Sequence, residues 1–193
     1  MHVHVLALAL ASALAIDIAG PQVSAKETYH PVPWYLPRKV TIGAVVNPPT
    51  VSIDLRLAWE LGVIEQPRNH LVIMIELGTG LTLVNQARIR ALYQHVAMVG
   101  FGYRSTRELF HWGFSVLTGP LWYRAGYAPG VGLNFENRFV TYSEATAQAG
   151  LVVKEHLIFG IFAGYGAPWD ITERFPAGIY TGGFRVGVFG EWR

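Results

Sequence analysis

From residue 51 onward the chain alternates apolar and polar positions with a period of two. Val51, Ile53, Leu55, Leu57, Trp59 and Leu61 share one face, and Ser52, Asp54, Arg56, Ala58 and Glu60 share the other. Successive side chains of a strand point to opposite faces, so this stretch predicts a strand with one face in an apolar medium; a helical period would mix the two sets. The same test predicts strands over Leu71–Leu83, Ile89–Arg104, Phe110–Val116, Leu121–Phe135, Phe139–Lys154, Leu157–Tyr165 and Tyr180–Trp192. Turn signals separate them at Asn85-Gln86, Ser105–Glu108, Thr118-Gly119-Pro120, Glu136-Asn137-Arg138 and Glu155, and Ala167–Gly178 is the longest loop. Residues 81–93 admit a second reading as a loop or short helix. The count is eight strands. Reading Lys39–Val46 as a strand and breaking the chain at Pro129-Gly130 makes it ten. Either even number leaves both ends of the sheet on one side.

Upstream of the alternating body lie two different segments. Val5–Ile16 is an apolar block of signal-peptide length, ended by Asp17 and followed by a small-x-small site at Val23-Ser24-Ala25. Residues 1–25 are expected to be an export signal, 26–50 a Pro-rich N-terminal segment, and 51–193 the barrel. Loss of 1–25 would remove only Asp17, leaving 15 basic against 12 acidic residues. That balance is too mild to argue for nucleic acid.

Composition then decides what the alternation means. Half of the chain is hydrophobic (51%) and only 15% is charged, below the roughly 25% of an ordinary soluble domain. Past the first 20 residues no run of 18 apolar residues exists, so the apolar content is not an ordinary membrane helix. There is no cysteine, which excludes a disulfide scaffold or a Cys-based metal site, and the His residues show no metal spacing. No cofactor is implied. The polar face is heavy in Gly and Ala with a few charges, and Arg outnumbers Lys 12 to 3. A solvated outer face would be rich in Lys and Glu, so these residues suit a narrow interior and the aromatic-rich face suits lipid. In lipid every backbone N–H and C=O must be paired internally, so the sheet must close. The fold expected is all-β, a closed antiparallel up-and-down transmembrane barrel.

The leader-like segment, the alternating body and the terminal stretch Phe184–Trp192, with an aromatic residue next to last, carry a resemblance to the small eight-stranded outer-membrane β-barrels of Gram-negative-type bacteria. The resemblance implies an outer-membrane location, contact with outer-membrane lipid, and the barrel-assembly machinery as a partner. It implies fold and place far more than activity.

The interior charges are then Asp54, Arg56, Glu60, Glu76, Arg104, Arg124, Lys154, Arg185 and Glu191. An eight-stranded barrel is just filled by its side chains, so these charges are expected to pair into a network. The network is read as a plug, with a gated narrow ion path as the sharper alternative. An interfacial aromatic girdle is expected from Trp59, Tyr103, Trp112, Tyr123, Tyr165, Tyr180 and Trp192. The outer connections would be Gly62–Asn69, Ser105–Glu108, Glu136–Arg138 and Ala167–Gly178. The last, with Trp169, Asp170, Arg174 and Phe175, is the candidate contact loop for a surface partner.

No catalytic set stands out. His111 and Ser115 share a face, but four residues of strand separate them by about 13 Å. His95 falls on the lipid face, with Ser143-Glu144 as a thin companion. Lipid-A deacylase barrels carry a His-x-Ser pair on a late strand, and the matching stretch Phe159–Gly166 has neither residue. The reading is a non-enzymatic barrel with a structural, adhesive or minor permeation role. A soluble lipocalin-like ligand-binding barrel and a lipid-active barrel enzyme are the alternatives.

Overall fold

The computed structural model describes residues 33, 35–47, 50–65, 68–84, 89–127, 134–154, 157–169 and 183–192. They form eight strands: β1 (Lys39–Asn47), β2 (Thr50–Glu65), β3 (Asn69–Val84), β4 (Ile89–Arg107), β5 (Phe110–Tyr127), β6 (Asn134–Lys154), β7 (Leu157–Pro168) and β8 (Gly183–Trp192). Each pairs antiparallel with the next, and β8 pairs with β1, so the sheet closes into an up-and-down barrel. Closure gives the backbone groups of the wall internal partners wherever neighbouring strands overlap. No helix long and apolar enough to cross a membrane occurs among the described residues.

The register shows why the tube is narrow. Partners followed from Val46 through Phe184, Tyr165, Ala145, Val116, Phe101 and Ile73 end at Leu61, three residues past the Ala58 that faces Lys39. The circuit misses its start by about ten residues of β1, a stagger that tilts the strands by roughly 40° in a barrel this small. Both the start of β1 and the end of β8 lie at one end, together with the connections 66–68, 108–109 and 155–156. This is the turn end. The opposite, loop end carries 48–49, 85–88, 128–133 and 169–182.

The count of eight stands, but its parts differ from the sequence reading. Lys39–Val46 is a strand, so the barrel starts at Lys39 and not at Val51. Thr118-Gly119-Pro120 is not a turn but the middle of β5, and Glu136-Asn137-Arg138 lies inside β6. The chain breaks instead between Tyr127 and Asn134, the stretch that holds Pro129-Gly130. Residues 81–84 and 89–93 are strand, not loop or helix. Pro120 is tolerated for a local reason. Its ladder to β6 is continuous (Pro120↔Thr141), whereas the pairing to β4 passes from Thr118 to Leu121 without Gly119 or Pro120 and resumes in the same register. The missing proline N–H therefore costs a gap on one side of the strand and no shift.

A strand ahead of Val51 reverses the assignment of ends: Gly62–Asn69 and Ser105–Glu108 sit at the turn end with the barrel termini, while the connection after Pro168 sits at the loop end. A continuous β5 also carries its parity through Pro120. Leu121 and Tyr123 point inward, at 3% and 2% exposure, and Trp122 and Arg124 point outward. The export segment 1–25 lies outside the described residues.

The two surfaces of the wall are chemically opposite. The outside exposes Ile53, Leu55, Leu77, Val99, Phe101, Ile161, Val186 and Val188 over the middle of the strands. The inside buries seven of the nine expected charges together with small residues. At Gly43 an added Cβ would lie 2.7 Å from Asp54 Oδ1 and 2.9 Å from the Phe162 ring, and at Gly166 it would collide with the Tyr142 hydroxyl. Glycine is needed there for close approach, because bulky side chains from other strands occupy the space in front of it.

Candidate functional site

The lumen is the only place where the fold gathers polar chemistry among the described residues, and it does so in two layers. Asp54, Arg56, Glu60, Glu76, Arg104, Arg185 and Glu191 all point into it and are at most 8% exposed.

The middle layer is centred on Arg56 of β2. Its guanidinium meets Asp54 of the same strand at 2.5 Å, Glu76 of β3 at 2.9 Å and Glu144 of β6 across the lumen at 3.0 Å. Arg185 of β8 reaches the same carboxylates, Asp54 at 2.7 Å and Glu144 at 3.4 Å, and donates to Thr41 Oγ1 of β1 at 2.7 Å. Its guanidinium also lies 4.3 Å over the Phe162 ring of β7. Tyr142 and Thr146 donate to Glu144 at 3.3 Å and 3.1 Å. Two forks bridging three carboxylates is the arrangement in which buried charge is tolerated, since both guanidinium groups and the Asp54 and Glu144 carboxylates each meet at least two opposite charges.

The second layer lies near the turn end. Arg104 of β4 pairs with Glu60 of β2 in a short contact and with Glu191 of β8 at 2.5 Å. Lys39, the first residue of β1, donates to Gln148 Oε1 of β6 at 2.9 Å. Gln148 contacts His111 of β5, and His111 contacts Thr106 of β4, both at 2.9 Å. Between and beside the layers the lumen is filled by Phe162, Phe189, Ile158, Met74 and Met98, all at most 4% exposed. The Phe189 ring sits 6.0 Å from Lys39 Nζ and 6.1 Å from the His111 ring. Every strand sends at least one side chain into this filling.

Two expected interior charges are placed differently. Arg124 is on the outer face near the loop end, because β5 does not turn at Pro120. Lys154 ends β6 at the turn end, and its side chain lies outside the described residues. The lumen residues that the sequence reading leaves out include Lys39, Glu144, His111 as a network member, and Gln148. Glu144, His111 and Gln148 have the right parity, and Glu144 shares a face with Thr146 and Gln148 in the sequence. Lys39 could be found only by admitting β1 as a strand.

Five of the seven aromatic residues expected in a girdle stand on the outer face of the wall. Trp59, Tyr103, Trp112 and Trp192 stand on the outer face toward the turn end, and Tyr103 is covered by Trp112 and Phe114, with ring centroids 5.4 Å and 5.5 Å away. Trp59 Nε1 donates to the Tyr35 carbonyl at 3.2 Å. Toward the loop end stand Tyr165, stacked edge-on against Phe184 at 5.2 Å, and Trp122 between His95 (4.8 Å) and Phe139 (6.4 Å). Tyr123 is not a girdle residue, since it points into the lumen. Tyr180 lies outside the described residues. An exposed apolar band between two aromatic rims is the surface that hydrocarbon covers in a membrane barrel.

Of the candidate contact loop, Trp169 is described. It is 69% exposed, and its Nε1 donates to Ser143 Oγ at 2.6 Å. Asp170, Arg174 and Phe175 lie outside the described residues. Among the described residues no cluster of His, Asp and Glu could hold a metal ion.

No protein-family model and no curated protein sequence matches the chain. Solved structures do match in fold. The outer membrane enzyme PagL superposes with a TM-score of 0.53 at 11% identity, over 79% of this chain and 97% of that one. Neisserial surface protein A gives 0.48 at 7% identity, over 79% and 90%, and the attachment invasion locus protein Ail of Yersinia pestis gives 0.48 at 10%, over 80% and 94%. The fold is that of the small outer-membrane β-barrels. Within that class the chain is a closed eight-stranded barrel with its charges inside.

Proposed function

We propose that the chain is an exported, integral outer-membrane barrel without enzymatic activity, whose lumen is a structural brace and whose role at the cell surface is structural or adhesive. The observation that carries this reading is the double ion-paired filling of the lumen. Arg56–Glu144 and Lys39–Gln148 each span the tube, and apolar rings and thioethers close the space between them. A soluble ligand-binding barrel reverses this polarity, with charges outside and an apolar cavity within. Enzymatic chemistry finds little support: His95 lies flat on Trp122, and His111 is held by Thr106 and Gln148. In this reading residues 1–25 are the cleaved export signal, the barrel-assembly machinery inserts the strands, and the connection 169–182, the longest between two strands, is where a surface partner would bind.

The test is reconstitution of the purified barrel in planar bilayers, with fractionation of the expressing cells. The protein is expected in the membrane fraction, to migrate differently on gels before and after boiling, and to give no steady conductance. A stable single-channel conductance would replace the brace with a pore. Recovery in the soluble fraction without detergent would overturn the membrane assignment.

A further inference from the structure

The turn-end layer holds a histidine whose protonation state can be read from its neighbours. Lys39 Nζ can only donate, so the Gln148 carbonyl Oε1 faces it at 2.9 Å. The Gln148 amide nitrogen is thereby turned toward His111 and lies 2.9 Å from ring Nε2. An amide NH2 also only donates, so His111 Nε2 must be the acceptor. The ring proton then sits on Nδ1, where Thr106 Oγ1 accepts at 2.9 Å. The line Lys39–Gln148–His111–Thr106 joins β1, β6, β5 and β4 in one donor direction, and it exists only with a neutral imidazole.

A different partner waits for the charged ring. Glu191 Oε2 of β8 lies 3.6 Å from His111 Nε2 and 3.5 Å from Gln148 Nε2. Around the ring also stand Arg104 of β4, which holds Glu191 Oε1, Glu60 of β2 behind Arg104, Lys39 of β1, and the uncharged Phe189 ring of β8. His111 itself is fully buried.

We infer that His111 is a proton-operated latch of the turn-end layer. A proton taken from water onto the Nε2 lone pair turns that nitrogen into a donor facing the Gln148 NH2, so the Gln148 bond breaks. The new N–H is taken by Glu191 Oε2. Acidification thus uncouples the His111 side chain from the Gln148–Lys39 line and pairs it with Glu191 of β8, while the backbone ladder of β5 to β6 stays in place.

The test uses the folded barrel in detergent micelles with 15N-labelled histidine, read by long-range 1H–15N spectra between pH 8 and 4.5. The His111 signals are assigned with His111→Gln. At pH 7.5 the proton is expected on Nδ1, and acidification is expected to give the doubly protonated ring. In Glu191→Gln the conversion should need at least tenfold more acid, and in Gln148→Glu at least tenfold less. If one of these variants fails to fold, the other decides, because the two shifts have opposite signs. A proton on Nε2 at pH 7.5, or a titration identical in the native chain and the variants, would overturn the latch.

Discussion

Replacing Arg56 by Ala tests whether the middle layer braces the barrel. Arg56 is 3% exposed and lies 2.5, 2.9 and 3.0 Å from Asp54, Glu76 and Glu144. Without it, Asp54 and Glu144 keep Arg185, and Glu76 loses its guanidinium partner. Stranding one member of a buried pair costs about 3–5 kcal/mol. Three carboxylates share the loss here, so the upper part of that range, about 5 kcal/mol, is expected. Urea unfolding of the reconstituted barrel, followed by tryptophan fluorescence, measures it. The double change Arg56→Ala, Glu76→Gln should recover about 1–2 kcal/mol, because the two residues act on each other. Bilayers should stay silent, since the turn-end layer remains across the lumen. A loss below about 1 kcal/mol, the range of an exposed pair, would refute the brace. A steady conductance in the Arg56→Ala protein would make Arg56 a gate instead.

Gly43→Ala places a methyl 2.7 Å from Asp54 Oδ1, 2.9 Å from Phe162 Cζ and 3.2 Å from Arg185 Nε, so a loss of about 1–3 kcal/mol is expected in the same unfolding assay. The parity of β5 beyond Pro120 is open to labelling, because the chain has no cysteine. In vesicles, a membrane-soluble thiol reagent should modify Cys introduced at Trp122 and leave Cys introduced at Leu121 untouched; the reverse pattern would restore a turn at Thr118–Pro120. Trp169→Ala removes the 2.6 Å bond to Ser143 from an exposed side chain, and it should change stability by no more than about 0.5 kcal/mol.

Much of the wall was legible from alternation alone. In β2, β3, β4, β7 and β8 the period of two assigned the faces correctly, because one face meets an apolar surround and a register slip would invert every residue. What alternation could not weigh was punctuation. Gly119-Pro120 reads as a turn in isolation, yet Pro120 sits in β5 because its ladder to β6 continues at Thr141. That misreading moved Tyr123 outward and Arg124 inward. Lys39–Asn47 was hard to see for a different reason. It is one of the shortest strands, lies among prolines, and carries few inward side chains, of which Gly43 has none to show. The interior charges of β2 and β8 were legible as types and faces, but their pairing depends on which strands close the tube. Nothing local in the sequence links Asp54 to Arg185, 131 positions away.

That closure has a bearing on how the barrel is built. The final strand supplies one ion to each layer: Arg185 to Asp54 and Glu144, and Glu191 to Arg104. Arg185 also reaches Thr41, on the strand that β8 must meet to seal the cylinder. Until those last residues arrive, Asp54, Glu144 and Arg104 of an open seven-strand sheet each lack one of their ion partners, and such a sheet cannot enter hydrocarbon cheaply. The charges inside therefore penalise every incomplete form, and insertion and sealing become one event.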